Sequence, residues 1–446
     1  MMGDQQETLI LRDVLIPGGR VADITIRDGL VLHTGAADRG DVEIFCQDTT
    51  VLPAGTDLHV HMRDGVQKLK ETWESGTKSA IAGGVTAVVD QPNTIPPLIS
   101  PALVRDRVFL AASQAYCRFA INGAVTGDSD LTGMYRAGVF AFGETFAGPS
   151  SYGEAVDFEV LSKTMKQISS WNGIMTIHAE QVTEGTDDSL TRHDALRSVS
   201  GEVQTVQDVL NLNSSQCNLH FCHLSSAQAI QSVPVGTATV EVTPHHLFLS
   251  KDTFSPDDPR GKVNPPLRSE KTRKEVFSCW DRIDVIGSDH APHSIEDKDQ
   301  SFEKAPSGIP GVETMIPLLM GWMVEKKITI PEIIQKTSTN PSEMLGLSPA
   351  GFLPGNRADF AIFPEEYTTI HADSLHSRAK WTPFEGMKAI FPEITILGGA
   401  IVFDGGEFIR PDLSSSRCDI HQTSLADDPG LSLWIPGRGY TLEKPI

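Results

Sequence analysis

Histidines and acidic residues gather at a few points of the chain, each directly after a short apolar run. The first run leads into residues 57–63, which contain His59, His61 and Arg63. Side chains of a strand alternate between its two faces, so these three side chains project to one side. Two imidazoles at this spacing can chelate one metal ion. The pattern therefore predicts a pair of metal ligands at the end of a strand.

Three further residues of the same kind follow later apolar runs. They are His178, His223 and Asp289. Burying several imidazoles and a carboxylate together is costly unless a metal ion or a partner satisfies them. These ligands suit Zn²⁺, and Mn²⁺ or Co²⁺ can take the same set. Five ligands are too many for one tetrahedral site that keeps a position open for water, so we predict two adjacent metal ions.

The elements that must hold these residues alternate between strands and helices. We expect eight strands, at 57–61, 85–90, 118–124, 138–142, 174–178, 218–223, 239–243 and 283–288. Helix-like stretches such as 73–82, 101–115 and 155–170 lie between them, which is typical of a parallel sheet covered on both faces. The sequence thus predicts an α/β fold, a (β/α)₈ TIM barrel, whose reacting groups come from the carboxyl ends of the strands. A doubly wound open sheet is the alternative, disfavoured because no glycine-rich phosphate loop follows any strand.

Both ends of the chain are rich in short strands and glycine turns. We predict that residues 1–53 and 347–410 form one small β-sandwich domain, with the barrel at 54–346 between them. Two unrelated β-appendages are the alternative. Residues 411–446 are rich in Ser, Asp, Gly and Pro and read as an extended tail without an assigned role.

Composition excludes several classes of protein. The 446 residues carry 37 Lys and Arg against 58 Asp and Glu, a formal net charge of −21, which disfavours non-specific binding to nucleic acid or to an anionic membrane. No apolar run is long enough to span a bilayer, and no signal peptide is recognisable at the start. The six cysteines show no regular spacing, so we expect buried free thiols and a cytoplasmic location.

Seven segments, in this order, resemble those of the cyclic amidohydrolases and, within them, the dihydroorotase family. The segments are 57–65, 73–76, 91–94, 177–181, 241–247, 264–268 and 288–293. The resemblance covers about residues 51–355 and the flanking sheet domain. It implies the reversible, metal-dependent cyclisation of N-carbamoyl-L-aspartate to L-dihydroorotate, a step of pyrimidine biosynthesis, with a small anionic molecule as substrate.

The resemblance also implies roles for individual residues. His59, His61 and Asp289 would hold one metal, and His178 and His223 the other. A metal-activated hydroxide would attack the ring carbonyl, while Asp289 acts first as general base and then as general acid. The remaining candidates would bind the substrate: Arg63, Asn93 and His293 at its carboxylate, and Asn264, Ser307 and Gly308 at its ring.

One position departs from the family pattern. Many members bridge their two metals with a carboxylated lysine on the fourth strand, but residues 138–146 contain no lysine. Glu144 occupies a comparable place, and we hypothesise that it is the bridging anionic ligand. A centre with one metal, or an inactive homologue, is the alternative.

Other functions remain open at this point. An allantoinase or a dihydropyrimidinase-like enzyme would share the architecture, although the uncharged ring of a dihydropyrimidine offers Arg63 no carboxylate. A non-catalytic scaffold that binds another enzyme is a rival from a different class. The sequence leaves open whether the chain forms a homo-oligomer.

Overall fold

The computed structural model describes residues 7–147 and 156–410. Its strands are β1 (Leu9–Ile16), β2 (Arg20–Arg27), β3 (Leu30–Gly35), β4 (Val42–Phe45), β5 (Thr49–Pro53), β6 (Gly55–Val60), β7 (Val85–Asp90), β8 (Arg118–Ile121), β9 (Phe142–Phe146), β10 (Ile174–His178), β11 (Asn218–Phe221), β12 (Thr239–Val242), β13 (Val285–Ile286), β14 (Phe360–Pro364), β15 (Thr368–Thr369), β16 (Lys388–Ala389), β17 (Ile394–Leu397), β18 (Ala400–Asp404) and β19 (Glu407–Phe408).

The α-helices alternate with the central strands. They are α1 (Trp73–Ala82), α2 (Pro101–Gln114), α3 (Leu131–Ala137), α4 (Phe158–Ser169), α5 (Leu190–Leu196), α6 (Val199–Leu212), α7 (Ala227–Ser232), α8 (Pro244–Phe248), α9 (Glu270–Ser278), α10 (Ile295–Lys298), α11 (Met315–Val324), α12 (Ile330–Ile334) and α13 (Asn340–Met344). None of the helices in the described part of the chain combines the length and the apolar character that crossing a bilayer requires.

Strands β6 to β13 form a barrel of parallel strands. Strands β6, β7 and β8 make one sheet, and β9 to β13 make another in chain order. Parallel bridges from Gly123 to Phe142 and from Val60 to His290 connect the two sheets on both sides. The predicted (β/α)₈ barrel is thereby confirmed, and the carboxyl ends of its strands meet at one mouth.

The fourth barrel strand lies further along the chain than the sequence analysis predicts. The expected segment was 138–142, but β9 spans Phe142–Phe146. Val139, Phe140 and Ala141 are buried, yet they lie in the segment that leads into the strand, where the Phe140 amide donates to the Ile121 carbonyl. Burial outside the strand explains the apolar run that suggested a strand there. Glu144 consequently sits on the strand rather than just beyond it.

The two ends of the chain build a pair of packed sheets. One sheet has the strand order β3-β2-β1-β4, and the other has the order β19-β18-β17-β14-β5. Their inner faces share one apolar cluster that includes the fully buried Leu11, Ile24, Phe360 and Ile396. Strand β5 pairs antiparallel with β14, which joins residues from opposite ends of the chain. This arrangement agrees with a small β-sandwich built from both termini, while its proposed boundaries, 1–53 and 347–410, stay predictions.

Part of the 347–410 segment packs on the barrel instead of the sandwich. Trp381 and Phe384 share a buried cluster with barrel-side residues such as Leu249 and Leu318. The indole Nε1 of Trp381 donates to the carbonyl of His293 at 2.8 Å. This contact brings the C-terminal part of the chain to the rim of the barrel mouth. The predicted tail, 411–446, lies outside the described residues.

Candidate metal centre and substrate pocket

The first histidine pair lies at the end of β6. His59 has its Nδ1 3.0 Å from Oε1 of Glu241, and His61 has its Nδ1 2.8 Å from Oδ1 of Asn93. An oxygen acceptor at Nδ1 puts the ring proton there, which leaves the lone pair on Nε2. Both Nε2 atoms face Asp289, whose Oδ1 lies 3.5 Å from His59 and 3.1 Å from His61. The two imidazoles thus turn their electron pairs to one side, as the strand alternation predicts.

The second histidine pair lies across the mouth, after β10 and β11. His178 presents Nδ1 and His223 presents Nε2, and these two atoms are 3.3 Å apart. Both rings are buried. Both nitrogens also approach the same carboxylate oxygen, Oε1 of Glu144, at 2.6 and 2.7 Å.

Glu144 connects the two histidine pairs. Its second oxygen, Oε2, lies 3.7 Å from Nε2 of His59. Two groups of residues able to hold a metal therefore share it, one with His59 and His61 and the other with His178 and His223. Burial alone would raise the pKa of Glu144, but its bonds from His178 and His223 hold that pKa well below its ordinary value. Glu144 is thus an anion located between two sets of nitrogen donors.

The backbone around Glu144 depends on glycine. Gly143 has a φ of +127°, and a Cβ at this position would collide with the carbonyl oxygen of Thr176 on the neighbouring strand. Glycine therefore allows the close approach of β9 and β10 that aims Glu144 at the histidines.

The donor set fits divalent metal ions. His59 Nε2 is completely buried and has no hydrogen-bond partner among the described residues. Its distances of 3.5 and 3.7 Å to the Asp289 and Glu144 oxygens exceed those of good hydrogen bonds. A buried lone pair flanked by two carboxylates is an environment that a cation satisfies.

Asp289 follows β13 and has a left-handed backbone. Its φ is +46°, and two other predicted site residues, Arg63 and His223, have positive φ values of +49° and +36°. Such conformations cost on the order of 1 kcal/mol each and cluster at functional sites. Burial would raise the pKa of Asp289, but the neighbouring imidazoles of His61 and His59 lower it to about 2. The Asp289 side chain is therefore an ionised carboxylate at neutral pH.

A small pocket of about 30 Å³ opens directly over this cluster. Its lining includes nine predicted site residues, and these are His61, Arg63, Asn93, Glu144, His178, Asn264, Asp289, Ser307 and Gly308. A larger cavity of about 520 Å³ lies at the opposite end of the barrel, where Ile174, Asn218 and Thr239 begin their strands. The smaller pocket is the better candidate for a reaction site, because the ionisable side chains converge there.

Two of the predicted carboxylate-binding residues, Arg63 and His293, lie side by side. Arg63 Nη2 is 3.3 Å from His293 Nε2, and that nitrogen is 3.0 Å from the carbonyl oxygen of Ser307. Gly308 has a φ of +127°, and a Cβ there would collide with the carbonyl of Ala291. The backbone can approach a ligand closely at this point because it carries no side chain.

Asn264 also lines the pocket. Its Oδ1 lies 2.9 Å from Nε2 of His193, which is also 2.9 Å from the Val263 carbonyl. Since a carbonyl only accepts, His193 Nε2 carries a proton and donates to both oxygens. The Asn264 amide is therefore oriented by a histidine that the sequence analysis did not single out.

Glu241 is the main functional residue that the sequence analysis missed. It lies within a matched segment and ends a buried strand, but it received no role. Its carboxylate contacts His59 at 3.0 Å and His220 at 3.2 Å, and it accepts the backbone N–H of His223 at 3.1 Å. A lone acid inside an apolar strand was the signal that could have identified it.

Cys222 lies with His59 and Glu241 in a third group of side chains that could hold a metal ion. Burial raises the pKa of Cys222 to about 12, so its thiol stays protonated beside His59 and Glu241. His245 and His246 both bond the hydroxyl of Thr243, at 3.0 and 2.9 Å. They form a buried polar group with Thr243.

Comparison with known proteins identifies relatives of the chain. The amidohydrolase family matches residues 50–399. A dihydroorotase from Halobacterium salinarum is 36% identical over 407 residues, covering 89% of this chain and 96% of that protein. A dihydroorotase from Methanosarcina acetivorans is 38% identical over 415 residues, covering 86% and 89%.

Solved structures show the same fold. The L-hydantoinase (dihydropyrimidinase) from Arthrobacter aurescens superposes with a TM-score of 0.84 at 24% identity, covering 90% of this chain and 97% of that one. A D-hydantoinase from a Thermus species gives a TM-score of 0.80 at 21% identity, covering 91% and 97%. At these identities the likeness concerns the fold alone. From the family match and the two relatives, we conclude that the chain belongs to the amidohydrolase family.

Proposed function

We propose that the chain is a dihydroorotase, which interconverts N-carbamoyl-L-aspartate and L-dihydroorotate with two bound zinc ions. The observation that carries this proposal is the position of Glu144 between the two histidine pairs. The dihydroorotases among the relatives support the choice of reaction.

The metal-binding roles follow from which donors face one another. His59, His61 and Asp289 would hold the first ion, His178 and His223 the second, and Glu144 both. Imidazole and carboxylate donors favour zinc, and Mn²⁺ or Co²⁺ could substitute. Bound zinc supplies a water molecule of lowered pKa and polarises a carbonyl group.

Arg63, Asn93 and His293 would bind the carboxylate of the substrate. The guanidinium of Arg63 offers two parallel donors to a carboxylate, and its burial strengthens that interaction. The whole chain carries a charge of −21, so a local cation is needed to attract an anionic substrate. Asn264, Ser307 and Gly308 line the remaining space and would hold the ring.

Asp289 would accept and return the proton during the reaction. Because its pKa is lowered to about 2, the carboxylate is ionised and can accept a proton from the water that attacks the ring carbonyl carbon. The same carboxyl group then returns the proton to the ring nitrogen as the amide bond breaks. Cyclisation runs through these proton transfers in reverse.

Metal analysis and activity assays on one preparation test the proposal. We expect about two metal ions per chain and turnover of dihydroorotate well above that of allantoin, hydantoin or dihydrouracil. Preference for an uncharged ring would assign the chain to another branch of the family. A folded, metal-free and inactive protein would support a scaffold instead.

A cytoplasmic location is part of the same proposal. Five cysteines in the described residues are free and buried, which suits a reducing compartment. The small anionic substrate identified above would be the principal ligand of the chain.

A further inference from the structure

Lys70 is a cation beside the substrate pocket that none of the roles above uses. It lies in the connection between β6 and α1. Its ammonium group lies 3.0 Å from Nδ1 of His293 and 3.3 Å from the carboxylate of Asp297. An ammonium group has only donors, so the contact with His293 requires an unprotonated Nδ1.

The other ring nitrogen of His293 has the opposite requirement. Nε2 lies 3.0 Å from the carbonyl oxygen of Ser307, which only accepts, so Nε2 carries the ring proton. The two contacts together define a neutral imidazole with its single proton on Nε2. Burial lowers the pKa of His293 to about 3, in agreement with a neutral ring.

In this tautomer, the N–H donor of His293 lies beside an N–H donor of Arg63. Its Nη2 lies 3.3 Å from His293 Nε2, and both atoms are donors under the assignment above. Two donors this close do not bond each other. A substrate carboxylate seated beside them would accept from Arg63 and would share the single Nε2 proton of His293 with the Ser307 carbonyl oxygen, which is a charge-assisted arrangement.

Asp297 competes for the proton of His293. Its Oδ2 lies 3.8 Å from Nδ1, on the same side as Lys70. The titratable and charged groups that act on this ring are the cations Arg63 and Lys70, the buried amino group of Lys298 and the anion Asp297. Without Lys70, the Asp297 carboxylate would draw a proton to Nδ1.

We propose that Lys70 is a positioning residue that keeps His293 neutral and protonated on Nε2, so that His293 and Arg63 present two donors to the substrate carboxylate. The identity of the ligand rests on the proposed function. The protonation state of His293 does not, because it can be measured without substrate.

The first test is the ring protonation of His293 in the wild-type, metal-loaded protein. Nitrogen NMR on protein labelled with ¹⁵N-histidine distinguishes the two tautomers and the imidazolium, and His293→Gln assigns the signal. We expect a neutral ring protonated on Nε2 between pH 6 and pH 9. A proton on Nδ1, or an imidazolium at pH 7.5, would overturn the proposal.

The second test is the variant Lys70→Met. The ring proton should move to Nδ1 and the pKa of His293 should rise. At a pH above the raised pKa of His293, Nε2 then carries no proton, so KM should be about tenfold higher than in the wild type. At lower pH, KM should return to the wild-type value, and kcat should stay within about twofold of the wild type throughout. Lys68→Met removes an exposed lysine from the same connection and should leave both the tautomer and the KM profile unchanged.

Two further variants separate positioning from general structural support. Lys70→Arg keeps a cationic donor and should retain most of the wild-type KM. Lys70→Met combined with Asp297→Asn removes the competing anion as well, so the proton should return to Nε2 and the pH dependence of KM should disappear. Equal effects of Lys70→Met and Lys68→Met would overturn the proposal.

The experiments on Lys70 and His293 can be distinguished from those that test the proposed function. If Lys70→Met does not fold, the wild-type spectrum alone decides the protonation of His293. An Nε2-protonated His293 in a protein that does not turn over dihydroorotate would refute the proposed reaction and leave the role of Lys70 intact.

Discussion

Replacing Glu144 with glutamine removes one negative charge from the centre of the site and keeps the size of the side chain. The carboxylate lies within 2.7 Å of two histidine nitrogens and 3.7 Å from a third, with both histidine pairs around it. Two unit charges ~4 Å apart attract by about 4 kcal/mol at an effective dielectric constant of ~20. That energy corresponds to about a thousandfold change in affinity.

We expect a smaller loss than this limit, because water and side-chain movement compensate in part. Glu144→Gln should weaken binding of at least one metal by about a hundredfold and reduce kcat by a similar factor. The assay is metal content after dialysis against a metal buffer, with titration calorimetry for affinity. Glu159→Gln is the matched control, since Glu159 loses the same charge from a side chain that is 77% exposed.

The result that would refute this reasoning is specific. If Glu144→Gln retained two metal ions per chain with wild-type affinity and turnover, Glu144 would not be the bridging ligand. If both variants lost metal equally, the effect would come from net charge rather than from position.

Four further expectations follow from individual contacts. Arg63→Lys should raise KM by about 10–100-fold at unchanged metal content, because an ammonium group lacks the paired donors of a guanidinium group. A decrease in kcat with an unchanged KM would contradict this expectation. Asp289→Asn should lower kcat by about 10²–10⁴-fold in steady-state assays, and an active variant would exclude it as the proton carrier. Glu241→Gln should weaken metal binding by about 10–100-fold, because the amide no longer fixes the proton of His59 on Nδ1. An unchanged metal affinity in titration calorimetry would refute this role of Glu241. Burial lowers the pKa of Lys298 to about 7, so between about pH 7 and 10 the unfolded chain binds more protons than the folded one and the free energy of unfolding rises with pH. In urea unfolding, the free energy of unfolding of Lys298→Met should rise less steeply with pH, by up to about 1 kcal/mol per pH unit. Identical pH dependence of the two proteins would contradict this expectation.

Much of the candidate metal centre was predictable from local sequence. The i, i+2 spacing of His59 and His61 fixes their common face in any strand, and the burial of β6 leaves that face toward the barrel mouth. His178 and Asp289 follow other apolar runs in the same way. Strand ends of a parallel barrel meet at one mouth, so separate segments converge without any information about pairing.

The contacts that hold the site residues in place were harder to predict from the sequence, because they depend on how distant segments pack. Glu241 approaches His59 from a strand 182 residues away. The Trp381 contact with His293 joins the C-terminal part of the chain to the rim of the mouth. Neither pairing leaves a periodic signal in the sequence.

The displaced fourth strand shows why apolar runs are ambiguous. Phe140 and Ala141 are as buried as strand residues, although they precede β9. Burial alone therefore does not distinguish a strand from a packed connection. This ambiguity shifted the expected strand away from Glu144, whose role as a bridging ligand stays a prediction.

Anomalous X-ray diffraction across the zinc absorption edge, on crystals of the purified protein, tests the central claim most directly. We expect two peaks on either side of the Glu144 carboxylate, one beside His59 and His61 and the other beside His178 and His223. A single peak, or peaks remote from Glu144, would contradict the proposed centre.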